Sequence, residues 1–356
     1  MADLSKDLLL SVLAADAYYQ GITGRTPHGK TEIGPASLRE GFAGEGTEEW
    51  LAASFSASTY RLTETVGDLT AGTYVISYRG TDEILGRNWK RFWEGDAWEG
   101  WLVGGGFVQK QAELAGEYYG TVLNALRAEN GGEAPKIVLT GHSLGGGLAG
   151  LVGFLNQEET VIFDNMPFQL TGNRIYARAS QTDEQIREDL AGFEDLIGAA
   201  IAERDLYLQR YYGWNGTDPR PVPAPPNLDS ISGLHVPGEI NQILRNLPGS
   251  FRPDDVGNAS SEENIADIPS LNIPVISRLA KQGGALHPQS HLILRLFSDE
   301  TDFSSTQSAS DVWEPEFRKH LMKAIYDRGS AIPAAAGFEG YSDMLTAIAY
   351  SALGQD

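Results

Sequence analysis

The serine at position 143 stands in the pattern of this chain that best suits covalent chemistry. Residues 140–147, Thr-Gly-His-Ser-Leu-Gly-Gly-Gly, follow the apolar run 136–139 and lead into a segment of small residues. A serine hydroxyl becomes an effective nucleophile when a sharp strand-to-helix turn projects it toward a base, and such a turn strains the serine backbone. Gly141 and Gly145 stand two residues to either side of Ser143, where a Cβ would collide with the neighbouring strand and helix. The pattern therefore predicts a strand, a nucleophile elbow and a helix, with Ser143 as the nucleophile.

Two backbone regions near Ser143 are predicted to stabilise negative charge. The helix predicted after the serine aims unpaired N–H groups and a positive dipole end at the site, so the N–H of Leu144 is one predicted oxyanion donor. Residues 78–82, Tyr-Arg-Gly-Thr-Asp, directly follow a predicted strand, and Thr81 offers both a backbone N–H and a hydroxyl as the second donor. The alternative interpretation of residues 78–82 is a β-turn that leads into a surface loop.

A nucleophilic serine of this kind needs a histidine base that follows it in the chain, with the acid between them. The chain has 6 histidines. Four of them have the wrong position for this role: His28, His142, His235 and His320. His287 and His291 remain, and Pro288 suits the first position of a helix, which places His287 on the preceding loop and His291 one turn inside. Both residues stay open as the base on this reasoning.

Glu239 is the predicted acid that would orient the histidine. It follows a predicted strand at 232–236 and a tight turn, and it precedes a helical segment at 240–244. Asp229, before that strand, and Asp164, after the strand at 160–163, are the alternatives. Glu239 also suits a purely structural role, because a carboxylate near a helix N-terminus is favoured by the helix dipole.

Alternating strand and helix signals predict the elements that position these residues. The predicted helices are 5–19 and 107–130, the predicted strands are 54–65, 73–78, 136–139, 160–163 and 232–236, and residues 22–50 are loop-like. Strands 54–65 and 73–78 are expected to form a two-stranded unit. The alternation predicts the α/β class, with a mostly parallel sheet flanked by helices, in a single domain spanning 1–356.

Residues 169–230 are predicted to form a helical insertion in that domain, longer than the connection between two strands requires. Thr182 and Gln185 form a capping-box sequence that opens a helix, and five prolines within 219–226 predict a stiff extended connector. Apolar residues recur at helical spacing in the helix: Ile186, Leu190, Phe193, Ile197 and Ile201. The helix has two interpretations, a lid over the active site and an ordinary packing helix. We prefer the second, because an apolar stripe indicates burial alone.

Composition excludes several functional classes. The chain has 48 acidic and 27 basic residues and a net charge of -21, which opposes binding to nucleic acid and favours neutral or positively charged substrates. It has no cysteine, so disulfides and thiolate metal sites are excluded. No zinc-type histidine cluster, calcium-loop spacing or phosphate-cradling loop is recognisable, so no metal and no cofactor are expected. The acidic N-terminus lacks the features of a signal peptide, which predicts a soluble protein, either cytoplasmic or exported without an N-terminal leader.

The order and spacing of four motifs resemble those of class 3 lipases of the α/β-hydrolase superfamily. These motifs are residues 78–82, Arg-Asn-Trp at 87–89, Gly-Gly-Phe at 105–107, and residues 137–146. The resemblance implies an α/β-hydrolase fold and an oxyanion role for Thr81. It also implies a base at a loop-to-helix junction, which favours His287 over His291. The chain departs from the family at Gly104, where a histidine is frequent, and at Glu239, where aspartate is commoner.

The resemblance and the residues together predict a serine carboxylester hydrolase that cleaves acylglycerols or simpler fatty esters through an acyl-serine. Ser143 would attack the ester carbonyl, His287 would transfer the proton and Glu239 would orient His287. The expected partner is a lipid or small ester, with transient contact to a lipid interface. Two alternatives remain, a phospholipase A that acts on membrane glycerophospholipids and a catalytically inactive lipid-binding homologue.

Overall fold

The structure is a computed structural model, and it describes residues 4–17, 32–33, 35–39, 41–42, 47–53, 55–80, 110–217, 219–235 and 254–255. The strands in this part of the chain are β1 Glu32–Ile33, β2 Ala36–Arg39, β3 Ala57–Leu62, β4 Tyr74–Tyr78, β5 Ile137–His142, β6 Glu159–Phe163, β7 Ile231–His235 and β8 Asp254–Asp255. The helices are α1 Leu4–Asp16, α2 Glu48–Ala52, α3 Lys110–Glu129, α4 Leu144–Asn156, α5 Gln169–Ala179, α6 Asp183–Asp189 and α7 Glu194–Tyr212.

The described strands form one sheet in which spatial order follows chain order from β1 to β8. Strands β1 to β4 pair antiparallel, and strands β4 to β8 pair parallel. The α/β class is therefore confirmed, and the sheet is mixed. In its parallel half, from β4 to β8, the carboxyl ends of the strands share one edge, and Ser143 follows β5 at that edge.

Helices lie on both faces of this sheet. Alternate side chains of a strand point to opposite faces, and in β4 the Tyr78 hydroxyl donates to the carbonyl oxygen of Ala115 in α3 (3.0 Å). The neighbouring Ser77 hydroxyl donates instead to the carbonyl oxygen of Leu13 in α1 (3.1 Å). Helix α1 therefore packs on one face of the sheet, and α3 packs on the other.

The predicted two-stranded unit is confirmed as β3 and β4, and the prediction of a loop over 22–50 is wrong in part. Strands β1 and β2 lie in that range, and helix α2 begins in it. Strand β2 pairs with β3 from Ala36 opposite Leu62 to Arg39 opposite Thr59. Its sequence, Ala-Ser-Leu-Arg, carries no long alternation, so pairing with β3 stabilises the strand conformation where local propensity gives little signal.

The capping box predicted at Thr182 is present, but the helix that follows is shorter than predicted. The Thr182 hydroxyl accepts from the Gln185 N–H (3.1 Å), and the Gln185 side chain accepts from the Thr182 N–H (2.8 Å). Helix α6 ends at Asp189, and Gly192 takes a φ of +90° before α7 begins. This left-handed conformation favours glycine and interrupts a right-handed helix.

The interruption also changes which residues of α7 are buried. Phe193 was expected in the apolar stripe, yet it is 64% exposed. The buried face of α7 consists of Ala200, Arg204, Leu208 and Tyr211. Gly116 of α3 lies so close to Tyr211 that a Cβ would come within 2.6 Å of the Tyr211 ring, and Arg210 pairs with Glu113 (2.8 Å). Helix α7 therefore packs closely on α3.

A buried arginine connects α6, α7 and the proline-rich connector. Arg204 is 2% exposed, and its Nη2 lies 2.7 Å from Asp183 and 2.8 Å from Asp205. Arg220 of the connector contacts the same two carboxylates, at 3.2 Å and 3.1 Å. Two arginines and two aspartates thus form a network that joins three segments of the insertion.

This network makes the stability of the insertion depend on pH. The hydrogen bond from Arg204 lowers the pKa of Asp183 from its ordinary value near 3.8. The stabilisation is therefore present above the pKa of the unfolded chain, and it is lost as the pH falls through the lower folded pKa. We expect the melting temperature of Asp183→Asn to fall less than that of the wild type between about pH 5 and about pH 3. Asp229→Asn removes an exposed carboxylate before β7 and is the matched control. Parallel curves for wild type and Asp183→Asn would contradict the prediction.

Candidate active site

Ser143 occupies the sharp turn between β5 and α4. Its φ is 59° and its ψ is -123°, and it follows His142, the last residue of β5, directly. A positive φ is costly for a residue with a Cβ and persists only where the surroundings enforce it. The strand, turn and helix predicted around Ser143 are all present. The residue is 1% exposed.

Two glycines allow the helix to approach the strands at this turn. A Cβ on Gly141 would lie 2.5 Å from the carbonyl carbon of Gly145 and 2.9 Å from the N of Gly146. A Cβ on Gly145 would lie 2.8 Å from the carbonyl carbons of both Tyr78 and Arg79. Such contacts are far inside van der Waals distance, as predicted from the spacing of the two glycines about Ser143. The end of β4 therefore abuts the first turn of α4.

Residues 163–166, which we name the clamp loop, hold the backbone of Ser143. The Ser143 N–H donates to the carbonyl oxygen of Phe163 (3.0 Å), and the Met166 N–H donates to the carbonyl oxygen of Ser143 (3.0 Å). The same Ser143 oxygen also accepts from the Gly147 N–H of α4 (3.1 Å). These bonds offset the strain of the positive φ and fix the turn against β6.

Leu144 is the first residue of α4. Its N–H therefore belongs to the first turn of the helix, where the N–H groups have no acceptor within the helix. It lies directly after Ser143, where a helix N-terminus favours negative charge. Thr81 lies outside the described residues. Tyr78, three residues earlier, contacts the same first turn of α4 through Gly145.

The predicted base and acid also lie outside the described residues. These are His287, with its alternative His291, as the base, and Glu239 as the acid. The two alternative acids are described. Asp229 precedes β7. The residue after it, Ser230, accepts a hydrogen bond at its carbonyl oxygen from the Thr160 N–H at the start of β6 (2.9 Å). Because β5, β6 and β7 are parallel, Asp229 lies at the edge opposite Ser143, separated by the five residues of β7, or roughly 15 Å.

Residues 10–186 match a family model described as phospholipase-like, the Tle-like phospholipase domain. This region is lipase-like in sequence. The match includes Ser143 and the clamp loop and ends before Glu239 and His287. A solved structure titled "Rhizomucor miehei lipase propeptide complex, native" is 18% identical, covers 46% of this chain and 52% of its own, and superposes with a TM-score of 0.27. The likeness thus spans about half of that structure. No curated protein matches the chain.

Within the described residues, the structure brings together a pair of side chains beside this turn that the sequence does not predict. Asp164 follows β6 in the clamp loop, and its Oδ2 lies 3.7 Å from the Nε2 of His142. The sequence offers Asp164 as an alternative acid for the base, whereas the structure shows it next to His142, the residue before Ser143. The register of β5 and β6, which sets His142 opposite Phe163, is the signal that would have predicted this contact.

Two further features of the described residues bear on the type of site. Among the helices that the structure describes, none has both the length and the apolar composition needed to cross a lipid bilayer. In the same residues, no group of three or more His, Cys, Asp or Glu side chains is placed to hold a metal ion.

Proposed function

We propose that this chain is a serine carboxylester hydrolase with an α/β-hydrolase fold, similar to class 3 lipases, that cleaves fatty acyl esters such as acylglycerols. The observation that carries the proposal is the backbone of Ser143, held at a positive φ between a parallel strand and a helix N-terminus. A turn of this kind has a cost in stability, and its use is to present a hydroxyl to a bound substrate. The match of residues 10–186 to a phospholipase domain supports a lipid ester as the substrate.

In the proposed mechanism Ser143 attacks the ester carbonyl while His287 accepts its proton and then returns it to the leaving alcohol. Glu239 orients His287 and stabilises the imidazolium. The N–H of Leu144 and the groups of Thr81 donate to the tetrahedral oxyanion. Water then attacks the acyl-serine while His287 accepts its proton. His287 returns the proton to the Ser143 oxygen as the fatty acid leaves.

The insertion at 169–230 is proposed as a packing layer of a single domain that spans the chain. Its longest helix, α7, is joined to α3 by the close contact at Gly116 and by the ion pair of Arg210 with Glu113. The buried Arg204 network joins α7 to α6 and to the connector. A mobile lid would have to break these contacts whenever it opened, so they favour the packing interpretation.

Phospholipase A activity is the second candidate, and the match to the phospholipase domain favours it. The same serine chemistry would then cleave the acyl ester of a membrane glycerophospholipid. The two candidates differ in the headgroup that the binding pocket accepts, and not in the roles of Ser143 and its partners.

These proposals are tested by measuring fatty acid release from a triacylglycerol and from phosphatidylcholine. Hydrolysis of a series of esters with acyl groups from acetyl to oleoyl is measured beside them. We expect the full chain to hydrolyse fatty esters and to be labelled by a fluorophosphonate, which reacts only with an activated serine. Faster release from phosphatidylcholine would identify a phospholipase A. Lipid binding with neither labelling nor hydrolysis would identify the inactive homologue and overturn the proposed activity.

A further inference from the structure

The clamp loop and the end of β5 are connected by side chains as well as by backbone. Two backbone bonds join Ser143 to Phe163 and Met166, each at 3.0 Å. Between them, the carboxylate of Asp164 reaches back to the ring of His142, with 3.7 Å between Oδ2 and Nε2. These three contacts together hold His142 and Ser143 against the clamp loop.

The carboxylate of Asp164 is unusual for its position. Asp164 is 0% exposed and has a φ of 43°. Glycine or asparagine adopts such a left-handed conformation at least as easily as aspartate. Burial of a charged group costs free energy unless a partner compensates the charge. The backbone alone therefore does not require a carboxylate here, whereas a neighbouring imidazole gives the carboxylate a use.

Asp164 also connects the nucleophile to the strand that precedes the proposed acid. Its N–H donates to the carbonyl oxygen of Leu234 in β7 (3.0 Å). Strand β7 ends at His235, four residues before Glu239. A shift of Asp164 would therefore change the position of β5 relative to β7, on which the nucleophile and the acid depend.

We propose that Asp164 is a positioning residue, which acts through His142 to hold the Ser143 turn in the geometry that the reaction needs. It is not the acid of the catalytic triad in this proposal, because its carboxylate faces His142, whereas the base is His287. The proposal rests on the proposed function, since the geometry that it protects is that of the attacking hydroxyl.

Two replacements separate the charge of Asp164 from its backbone conformation. Asp164→Asn keeps the shape and the tolerance of a positive φ, and Asp164→Gly relieves the strain altogether. We expect both variants to lower kcat and the rate of fluorophosphonate labelling by about 10²-fold, with KM within about twofold of wild type. Gln157→Gly relieves a positive φ of 58° at the far end of α4 and is the matched control, with an unchanged rate.

A double-mutant cycle tests whether Asp164 acts through His142. His142→Gln removes the imidazole ring that contacts the carboxylate of Asp164. If the two residues act as a pair, His142→Gln lowers kcat as well, and the double variant is no slower than the slower single variant. Additive losses would show that Asp164 acts on another group and would overturn the proposal.

The remaining outcomes are also decisive. Wild-type rates in both Asp164→Asn and Asp164→Gly, with wild-type protein labelled normally, would refute the positioning role while leaving the proposed function intact. Absence of labelling in the wild type itself would refute the proposed function instead. If Asp164→Asn does not fold, a wild-type kcat in folded His142→Gln refutes the proposal, and a kcat lowered without a change in KM supports it.

Discussion

We expect Ser143→Ala to abolish the proposed ester hydrolysis and to leave the fold intact. Alanine carries the same Cβ as serine, so the backbone strain at a φ of 59° is unchanged, and the two backbone bonds to the clamp loop are kept. The hydroxyl that would form the acyl intermediate is lost. We expect kcat to fall on the order of 10⁴- to 10⁶-fold, the range seen when a serine nucleophile is removed.

Fatty acid release and fluorophosphonate labelling measure this effect, and thermal unfolding measures the fold. Ser180→Ala is the matched control. Ser180 directly follows α5, far along the chain from the turn, and among its described contacts its hydroxyl donates only to the local carbonyl oxygen of Ala177 (3.3 Å). We expect Ser180→Ala to keep wild-type rates. Retained hydrolysis in Ser143→Ala, with a normal melting temperature, would show that another residue is the nucleophile.

Gly145→Ala is expected to damage both stability and activity. The added Cβ would lie 2.8 Å from the carbonyl carbons of Tyr78 and Arg79, which belong to backbone and cannot rotate away. Helix α4 must then move from β4, and the turn that carries Ser143 moves with it. We expect the free energy of unfolding to fall by about 3 kcal/mol, at the upper end of the range for overpacked sites, and the remaining folded protein to be slow.

The matched control for this change is Gly198→Ala in the exposed part of α7. A Cβ at Gly198 meets nothing within 4 Å. Alanine favours a helix over glycine by about 1 kcal/mol, so this variant should be more stable than wild type and equally active. The same glycine-to-alanine change would thus have opposite effects at the two positions. Equal unfolding curves for Gly145→Ala and wild type would show that α4 and β4 are not in close contact.

The turn at Ser143 could be predicted because its signals are local. The β-favouring run before it and the glycines around it prescribe a strand, a tight turn and a helix within a dozen residues. The parallel strands β5, β6 and β7 were predictable for the same reason. Strand β2 was not, since its four residues are stabilised by pairing with β3, a long-range partner.

The same distinction between local and long-range signals applies to the insertion and to the candidate site. Thr182 was recognised as a helix cap from residues three apart, whereas the break at Gly192 required a knowledge of its backbone conformation. The contact between His142 and Asp164 joins residues from two strands, and only their register brings the side chains together. Roles that depend on residues far apart in the chain, such as those of Glu239 and His287, remain proposals.

The burial of Ser143 has a kinetic consequence. With 1% of its surface exposed, the serine presents almost no area to solvent. Turnover of a bulky ester then depends on the fraction of molecules in which the ester can reach the serine, and the apparent rate constant is scaled by that fraction. A slim inhibitor and a bulky lipid, compared on one enzyme preparation, would sample different degrees of opening.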